Sequence, residues 1–291
     1  MLTLKEVSLR KGKRTYLDEV SFTAEAGRIT AIVGTRSAGR TELVRIIMGL
    51  IAADEGTIEL EDFELDFGDR QNFGYLPAER GGYPNMRVLD QIVYLARLHG
   101  ITLGAAERNA LTLLGHLELA DRGYAPLKNL SGAEIARVDI AATLAADPDV
   151  VVIDDAFAGL DAASLRLVTS LLRAHASSGV PVILATDDWE AAQTFADDVV
   201  ILGQGKVTAK GSVEKLLGDP HYRVETTDTE VASSALKSRT GISDVKTAGH
   251  EGVSFHANDA KAAAAAVAEL KNVKNFESVR PTLAEQYKEA L

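Results

Sequence analysis

Residues 31–50 read AIVGTRSAGRTELVRIIMGL, and the fold of the chain can be worked out from this stretch. Residues 31–33 are an apolar run typical of a buried strand, and the residues after Thr41 have the apolar spacing of a helix. Between them, GTRSAGRT follows the phosphate-loop pattern G-x-x-x-x-G-K-[ST], with Arg40 in place of the lysine. The stretch therefore predicts a strand, a tight anion-binding loop and a helix in succession.

The residue types of this loop suit contact with phosphate. Gly34 and Gly39 let the backbone turn tightly and approach an anion without a Cβ in the way. Loop amides and the helix N-terminus then point at phosphate oxygens, and the Thr41 hydroxyl suits Mg²⁺. The predicted nucleotide-binding residues are Gly34, Thr35, Arg36, Ser37, Ala38, Gly39, Arg40 and Thr41. The alternative is an ordinary strand–turn–helix whose glycines serve only the turn.

Composition excludes several classes of protein. The chain of 291 residues has no cysteine, which excludes disulfides, cysteine-ligated metals and thiol catalysis. Its net charge of −11 argues against nucleic acid as a partner. No apolar run reaches the ~18 residues of a membrane span, and residues 1–16 alternate like a strand rather than a signal peptide. We expect a globular protein without a transmembrane segment.

Short apolar runs separated by helical patterns predict an α/β fold. Residues 149–154, DVVVID, and residues 181–186, PVILAT, are typical of fully buried parallel strands. Helical patterns between them indicate a mostly parallel sheet with helices on its faces. Residues 2–23 and 199–209 read as hairpins, and residues 88–119 have a helical period.

The character of the sequence changes near Gly211. Short strands then alternate with helices, which predicts a small α+β unit of the split-βαβ kind. We therefore expect a nucleotide-binding domain over residues 1–211, with a helical subdomain at about 84–146. A linker at 212–221 and a C-terminal domain at 222–291 complete the predicted organisation.

Two further motifs carry chemistry. Ser131 and Glu134 have the spacing of a capping box, which stabilises a helix start, and a helix start can also bind an anion. Asp154 and Asp155 end a predicted buried strand. An acid in that position beside a phosphate loop suits Mg²⁺, and a second acid could orient an attacking water. The alternative for this pair is simple capping of the next helix.

These three motifs, in this order and at these separations, resemble those of the nucleotide-binding subunit of an ABC transporter. GTRSAGRT corresponds to the Walker A loop, LSGAE at 130–134 to the signature and VVVIDD at 150–155 to Walker B. AGLD at 158–161 matches the D-loop, and ATDD at 185–188 the switch loop. Residues 74–100, GYLPAERGGYPNMRVLDQIVYLARLHG, resemble the branch that serves ABC-2 type drug or antibiotic exporters, whose members carry a small C-terminal domain ending much like PTLAEQY at 281–287.

The resemblance implies a P-loop NTPase fold of the ABC ATPase type. This fold has a mostly parallel core sheet, an antiparallel β subdomain and a helical subdomain, here followed by a small C-terminal α+β domain. The implied cofactors are ATP and Mg²⁺, with Thr41 and Asp154 at the metal.

The resemblance also implies partners. Two such subunits close head-to-tail, so that one subunit's signature residues meet the other's nucleotide. These residues are Ser131, Gly132, Ala133 and Glu134. Polytopic membrane permease subunits dock near the loop after Pro77, which would place the chain at the cytoplasmic face of the cell membrane as a peripheral subunit.

Several positions depart from the family pattern. Ser37 replaces a glycine, and Lys11 stands where an aromatic residue packs on adenine, with Tyr16 nearby. The remaining changes affect groups that the family uses for hydrolysis. They are Arg40 for lysine, Ala78 for glutamine, Asp155 for the catalytic glutamate and Asp187 for the switch histidine. The groups for binding phosphate and closing a dimer, Asp161 of the D-loop among them, are retained.

The sequence therefore predicts an exporter subunit that binds Mg-ATP and couples dimer closure to membrane subunits. Its own hydrolytic site is expected to be weak or inactive, with a homologous partner supplying hydrolysis. One alternative is a non-hydrolysing regulatory or scaffolding subunit of a membrane complex. Another is a homodimer with weak but sufficient ATPase.

Overall fold

The protein divides into two compact units, one of Met1–Val213 together with the chain from Tyr287, and one of Glu214–Gln286. A computed structural model describes residues 1–66, 68–79, 81–155, 157–218, 221–247 and 252–287. The predicted features that include residues 67, 80, 156, 219, 220, 248–251 and 288–291 lie in part outside these ranges. No helix within the described ranges is long and apolar enough to span a bilayer.

The first unit combines two sheets with a group of helices. Its elements in chain order are β1 (Leu2–Lys11), β2 (Arg14–Ala24), β3 (Ile29–Gly34), α1 (Arg40–Ile47), β4 (Glu55–Leu60), β5 (Phe63–Glu64), β6 (Phe73–Leu76), α2 (Val88–Leu98), α3 (Leu103–His116), α4 (Gly132–Leu144), β7 (Val150–Asp154), α5 (Ala162–Ala176), β8 (Val182–Thr186), α6 (Trp189–Phe195), β9 (Asp198–Gly203) and β10 (Lys206–Ser212).

The described residues of the central sheet follow the order β10-β9-β3-β8-β7-β6. All neighbouring pairs are parallel except β9 with β10, so the predicted mostly parallel sheet is confirmed. Every residue of β3, β7 and β8 is buried, because the sheet is covered on both faces. Register pairs Val33 with Thr186 and Asp154 with Ala185. The carboxyl ends of these three strands therefore lie side by side.

An antiparallel sheet of order β2-β1-β4-β5 confirms the predicted N-terminal hairpin. Its buried side chains, such as Leu4 and Phe22, share one core with α1 and the central sheet. Leu43 and Ile47 of α1 are fully buried in this core. Burial of large apolar side chains at about 25 cal/mol per Å² holds α1 firmly behind the loop that precedes it.

The helical part of the first unit consists of α2, α3 and α4. The helical period over residues 88–119 is divided between two helices, which the sequence pattern did not reveal. Gly100 adopts φ +86, a left-handed conformation that ends α2. Thr102 then caps α3 by accepting a hydrogen bond from the Ala105 amide. Apolar periodicity continues across the break because α2 and α3 pack against each other.

The elements after β10 are α7 (Val213–Leu217), β11 (His221–Thr226), α8 (Thr229–Lys237), β12 (Ile242–Thr247), β13 (Gly252–Ala257), α9 (Ala260–Ala268), β14 (Val273–Val279) and α10 (Leu283–Tyr287). The segment 212–221, predicted as a linker, thus contains a short helix. The described strands form an antiparallel sheet of order β12-β13-β11-β14, the predicted split-βαβ arrangement. Tyr222, Val224 and Phe255 form its core with residues of α8 and α9.

Candidate functional site

Backbone hydrogen bonds, one within the loop and one from Gly205, hold the loop between β3 and α1 in a tight turn. The Ala38 amide donates to the Thr35 carbonyl over 3.0 Å, and the Gly205 amide donates to the Ala38 carbonyl over 3.1 Å. A Cβ on Gly34 would lie 2.3 Å from the Leu202 carbonyl oxygen, so only glycine fits there. Ala38 is buried, while residues 35–37 are exposed. The loop is therefore a preformed turn that presents its middle residues to a ligand.

A substitution at Gly39 tests whether the loop requires a residue without a Cβ. This glycine has φ +96, and a Cβ there would lie 2.5 Å from the Tyr16 carbonyl oxygen. We expect Gly39→Ala to lower the free energy of unfolding by about 1–3 kcal/mol, the cost of a strained backbone site. The matched control is Gly115→Ala in α3, where a Cβ meets nothing within 4 Å. Urea denaturation of both variants is the measurement, and equal stability of Gly39→Ala and the unsubstituted protein would contradict the prediction.

Asp154 lies at the carboxyl end of β7 and is 4% exposed. Burial raises the pKa of Asp154, against the opposing effects of a hydrogen bond with the Thr41 side chain and of the Arg40 charge. Its Oδ2 atom has no hydrogen-bond partner among the described residues. A buried carboxylate oxygen without a partner costs free energy, so this position suits a bound cation.

Asp155 follows directly with φ +53, an unusual conformation for a residue with a side chain. Its charge adds to the raised pKa of Asp154, whose largest cause is burial. The predicted roles of the pair, cation binding by Asp154 and orientation of water by Asp155, stay predictions. The next residue, Ala156, lies outside the described ranges.

Arg40 is the buried cation of the site. Its side chain is 13% exposed, and burial lowers its pKa against the opposing charges of Asp187, Asp154 and Asp155. The Nη2 atom lies 3.9 Å from Asp187 Oδ2. The Nη1 atom is buried and has no hydrogen-bond partner in the part of the chain that the structure describes. One arm of the guanidinium thus faces a carboxylate, and the other remains available to a ligand.

Asp187 joins two arginines of the loop. Its Oδ2 atom lies 3.7 Å from Arg36 Nε as well as 3.9 Å from Arg40 Nη2. Asp187 follows β8 directly, and β8 pairs with β3, the strand that leads into the loop. Sequence reasoning noted Asp187 as a departure but missed this ion-pair cluster. The opposite charges of Arg36 and Asp187 are the only hint of this cluster in the sequence. The parallel pairing of β3 with β8 is what brings the two side chains together.

Two other positions that differ from the family pattern, residue 78 and the predicted adenine position, offer few groups to a ligand. Ala78 is exposed in the bend after β6, and its methyl group offers no hydrogen bond. Near the predicted adenine position, Lys11 Nζ lies 5.4 Å from the centre of the Tyr16 ring, and the Arg14 guanidinium carbon lies 4.6 Å from it. The Tyr16 ring is therefore already in cation–π contact on the protein.

The predicted signature residues begin α4. Ser131 accepts a hydrogen bond from the Glu134 amide, and Glu134 accepts one from the Ser131 amide, which confirms the capping box. That second hydrogen bond is the main cause of the lowered pKa of Glu134, and the ion pair with Arg122 at 2.9 Å acts in the same direction. Ser131 and Gly132 remain exposed, whereas Ala133 is partly buried. Asp161 caps α5 in a similar way through the Ser164 amide.

Taken together, these groups suit a nucleotide phosphate with a divalent cation. The orphaned Arg40 Nη1 matches an anionic oxygen, and the orphaned Asp154 Oδ2 beside the Thr41 hydroxyl matches a hard cation. The two glycines remove the Cβ atoms that would obstruct close approach. The structure brings the loop together with Asp154, Asp155 and Asp187, while α4 supplies an exposed surface of its own.

Comparison with known proteins shows what this chain is similar to. Residues 17–158 match the family model described as ABC transporter. The chain is 27% identical over 216 residues to the uncharacterized ABC transporter ATP-binding protein YhaQ of Bacillus subtilis, covering 74% of this chain and 72% of YhaQ. It is 24% identical over 253 residues to the linearmycin resistance ATP-binding protein LnrL of the same organism, covering 84% and 81%. The dimeric structure of MJ0796, a bacterial ABC transporter cassette, superposes with a TM-score of 0.65 at 22% identity, covering 74% of this chain and 99% of that one, which shows the shared fold.

Proposed function

We propose that this chain is the ATP-binding subunit of an ABC-type exporter, a proposal supported by the match of residues 17–158 to the ABC transporter family model. In this proposal the chain binds Mg-nucleotide and closes on a homologous nucleotide-binding subunit that supplies hydrolysis. Closure of this pair acts on polytopic membrane subunits, to which the chain binds as a peripheral subunit at the cytoplasmic face of the membrane. The export direction rests on the resemblance of residues 74–100. We assign the nucleotide-binding domain to residues 1–211 and the C-terminal domain to residues 222–291.

One observation carries the proposal. Two buried polar atoms, Arg40 Nη1 and Asp154 Oδ2, have no partners among the described residues and belong to the phosphate loop and the adjoining strand end. Buried polar groups in proteins are normally satisfied, so an anion and a cation together account for both. Both atoms therefore support the proposal that the site still binds Mg-nucleotide.

The capacity to cleave is reduced for physical reasons. Asp155 is one methylene shorter than glutamate, and a displacement of about 1 Å at a reacting centre can lower a rate 10²-fold. Ala78 contributes no polar atom, and Asp187 adds negative charge beside the loop. Bound Mg²⁺ would neutralise phosphate charge, but the protein groups that position and deprotonate water are weakened.

Nucleotide binding is tested by thermal denaturation with Mg-ATP, Mg-ADP or neither. Ligand at 100 times its Kd should stabilise the protein by roughly 2.7 kcal/mol. We expect a clear rise in Tm with at least one of the nucleotides. The variant Asp154→Asn should lose the part of the rise that depends on Mg²⁺, because it removes the carboxylate that faces the cation. No shift with either nucleotide at millimolar concentration would refute nucleotide binding.

A second candidate function is a non-hydrolysing regulatory or scaffolding subunit. The contact of Lys11 and Arg14 with the Tyr16 ring favours it, because an aromatic ring already in contact with cations is a poor platform for adenine. In that case the complex would assemble with the membrane subunits in the absence of nucleotide. The same thermal experiment separates the two candidates.

A further inference from the structure

The two arms of the Arg40 guanidinium have different surroundings. Nη2 faces Asp187 Oδ2 at 3.9 Å, whereas Nη1 has no hydrogen-bond partner among the described residues. A guanidinium binds anions through a planar fork, and each pair of N–H groups suits one carboxylate or phosphate edge. With Asp187 beside one arm, the Arg40 fork can serve one phosphate group fully rather than two.

Asp187 is held near the loop by more than one contact. Arg36 Nε lies 3.7 Å from the same carboxylate oxygen, so two cations from the loop share one internal anion. The backbone directs Asp187 there, because it follows β8, the strand that pairs with β3. The carboxylate is 45% exposed, and it can move away only by giving up both arginines.

In phosphate-loop proteins the backbone amides hold the inner phosphates, and the loop cation reaches the β- and γ-phosphates. A carboxylate paired with that cation therefore competes with the terminal phosphate of a triphosphate. A nucleoside diphosphate carries one negative charge fewer and presents only its β-phosphate to this cation. Asp154 and Asp155 add further negative charge around Arg40.

We propose that this chain's own site holds a nucleoside diphosphate in preference to a triphosphate, with Asp187 as the residue that sets the preference. This inference rests on the proposed nucleotide binding and specifies its ligand. It gives the subunit a site that stays occupied by product while the partner's site turns over.

The experiment is isothermal titration calorimetry of the full chain with Mg-ADP and with the non-hydrolysable triphosphate Mg-AMP-PNP. We expect the diphosphate to bind at least about tenfold more tightly, and Asp187→Asn to reduce the ratio to within about threefold. The matched control is Asp188→Asn, which removes the same charge one residue later. Its side chain caps α6 through the Ala191 amide, a role that asparagine also fills. Asp188→Asn should show the same ratio of diphosphate to triphosphate affinity as the unsubstituted protein.

Each outcome decides something different. Equal affinity for the two nucleotides, or a ratio that Asp187→Asn leaves unchanged, overturns the preference and leaves the proposed function standing. If Asp188→Asn reduces the affinity ratio as much as Asp187→Asn does, the preference depends on the overall charge. That result would overturn the specific role of Asp187. Failure of both nucleotides to bind would overturn the proposed function and the preference with it.

Discussion

Restoring Arg40→Lys, Ala78→Gln, Asp155→Glu and Asp187→His together is expected to raise ATPase activity by at least about 10²-fold, the low end of a general-base contribution. The combined variant returns a compact cation to the loop, adds a polar group after β6, and replaces the aspartates after β7 and β8 by glutamate and histidine. It also removes the Asp187 carboxylate, which lies near both Arg36 and Arg40. The measurement is steady-state phosphate release by the variant assembled with its membrane partner and with a homologous subunit whose own hydrolytic site has been inactivated.

Single reversions should do far less, because groups that act as one unit contribute non-additively. Asp155→Glu should be the best of them, since it extends the carboxylate by one methylene. Arg40→Lys alone should change nucleotide affinity more than rate. As a control, Asp154→Asn added to the quadruple variant should return activity to its starting level. A quadruple variant that binds nucleotide and dimerises but stays inactive would place the defect elsewhere, with Ser37 and Lys11 the next positions to change.

The second large effect is expected at the start of α4. Ser131→Ala in the assembled complex should lower ATPase turnover at least about tenfold, because the exposed hydroxyl is proposed to contact the partner's nucleotide and hydrogen bonds to charged groups are worth about 1.5–3 kcal/mol. The same substitution removes a helix cap worth about 1 kcal/mol, so a loss of stability must be separated from a loss of contact.

Thr102→Ala provides that separation. Thr102 caps α3 by accepting from the Ala105 amide, as Ser131 caps α4 by accepting from the Glu134 amide. Both variants should lose similar stability in denaturation, but only Ser131→Ala should lose turnover. Unchanged turnover in Ser131→Ala would show that this subunit does not complete its partner's site. Mixing substituted and unsubstituted copies would further show whether the partner is identical to this chain.

Features that depend only on residues close together in the chain could be predicted from the sequence alone. The strand–loop–helix around Gly34 and Gly39 and the capping box of Ser131 and Glu134 are of this kind, since spacing sets both. Buried parallel strands could be predicted for a similar reason, because a strand covered on both faces needs a continuous apolar run. The break near Gly100 was not predicted, because two helices that pack against each other keep a common apolar period.

Only the tertiary structure decided how the charges of the site are paired. The sequence showed Arg36, Arg40 and Asp187 as separate departures or loop positions, with no indication that one carboxylate lies between two arginines. The parallel register of β3 with β8 places these side chains together, and burial then leaves Arg40 Nη1 without a partner among the described residues. Local patterns follow from the chain's own spacing, whereas the pairing of distant charges depends on which strand ends the sheet brings side by side.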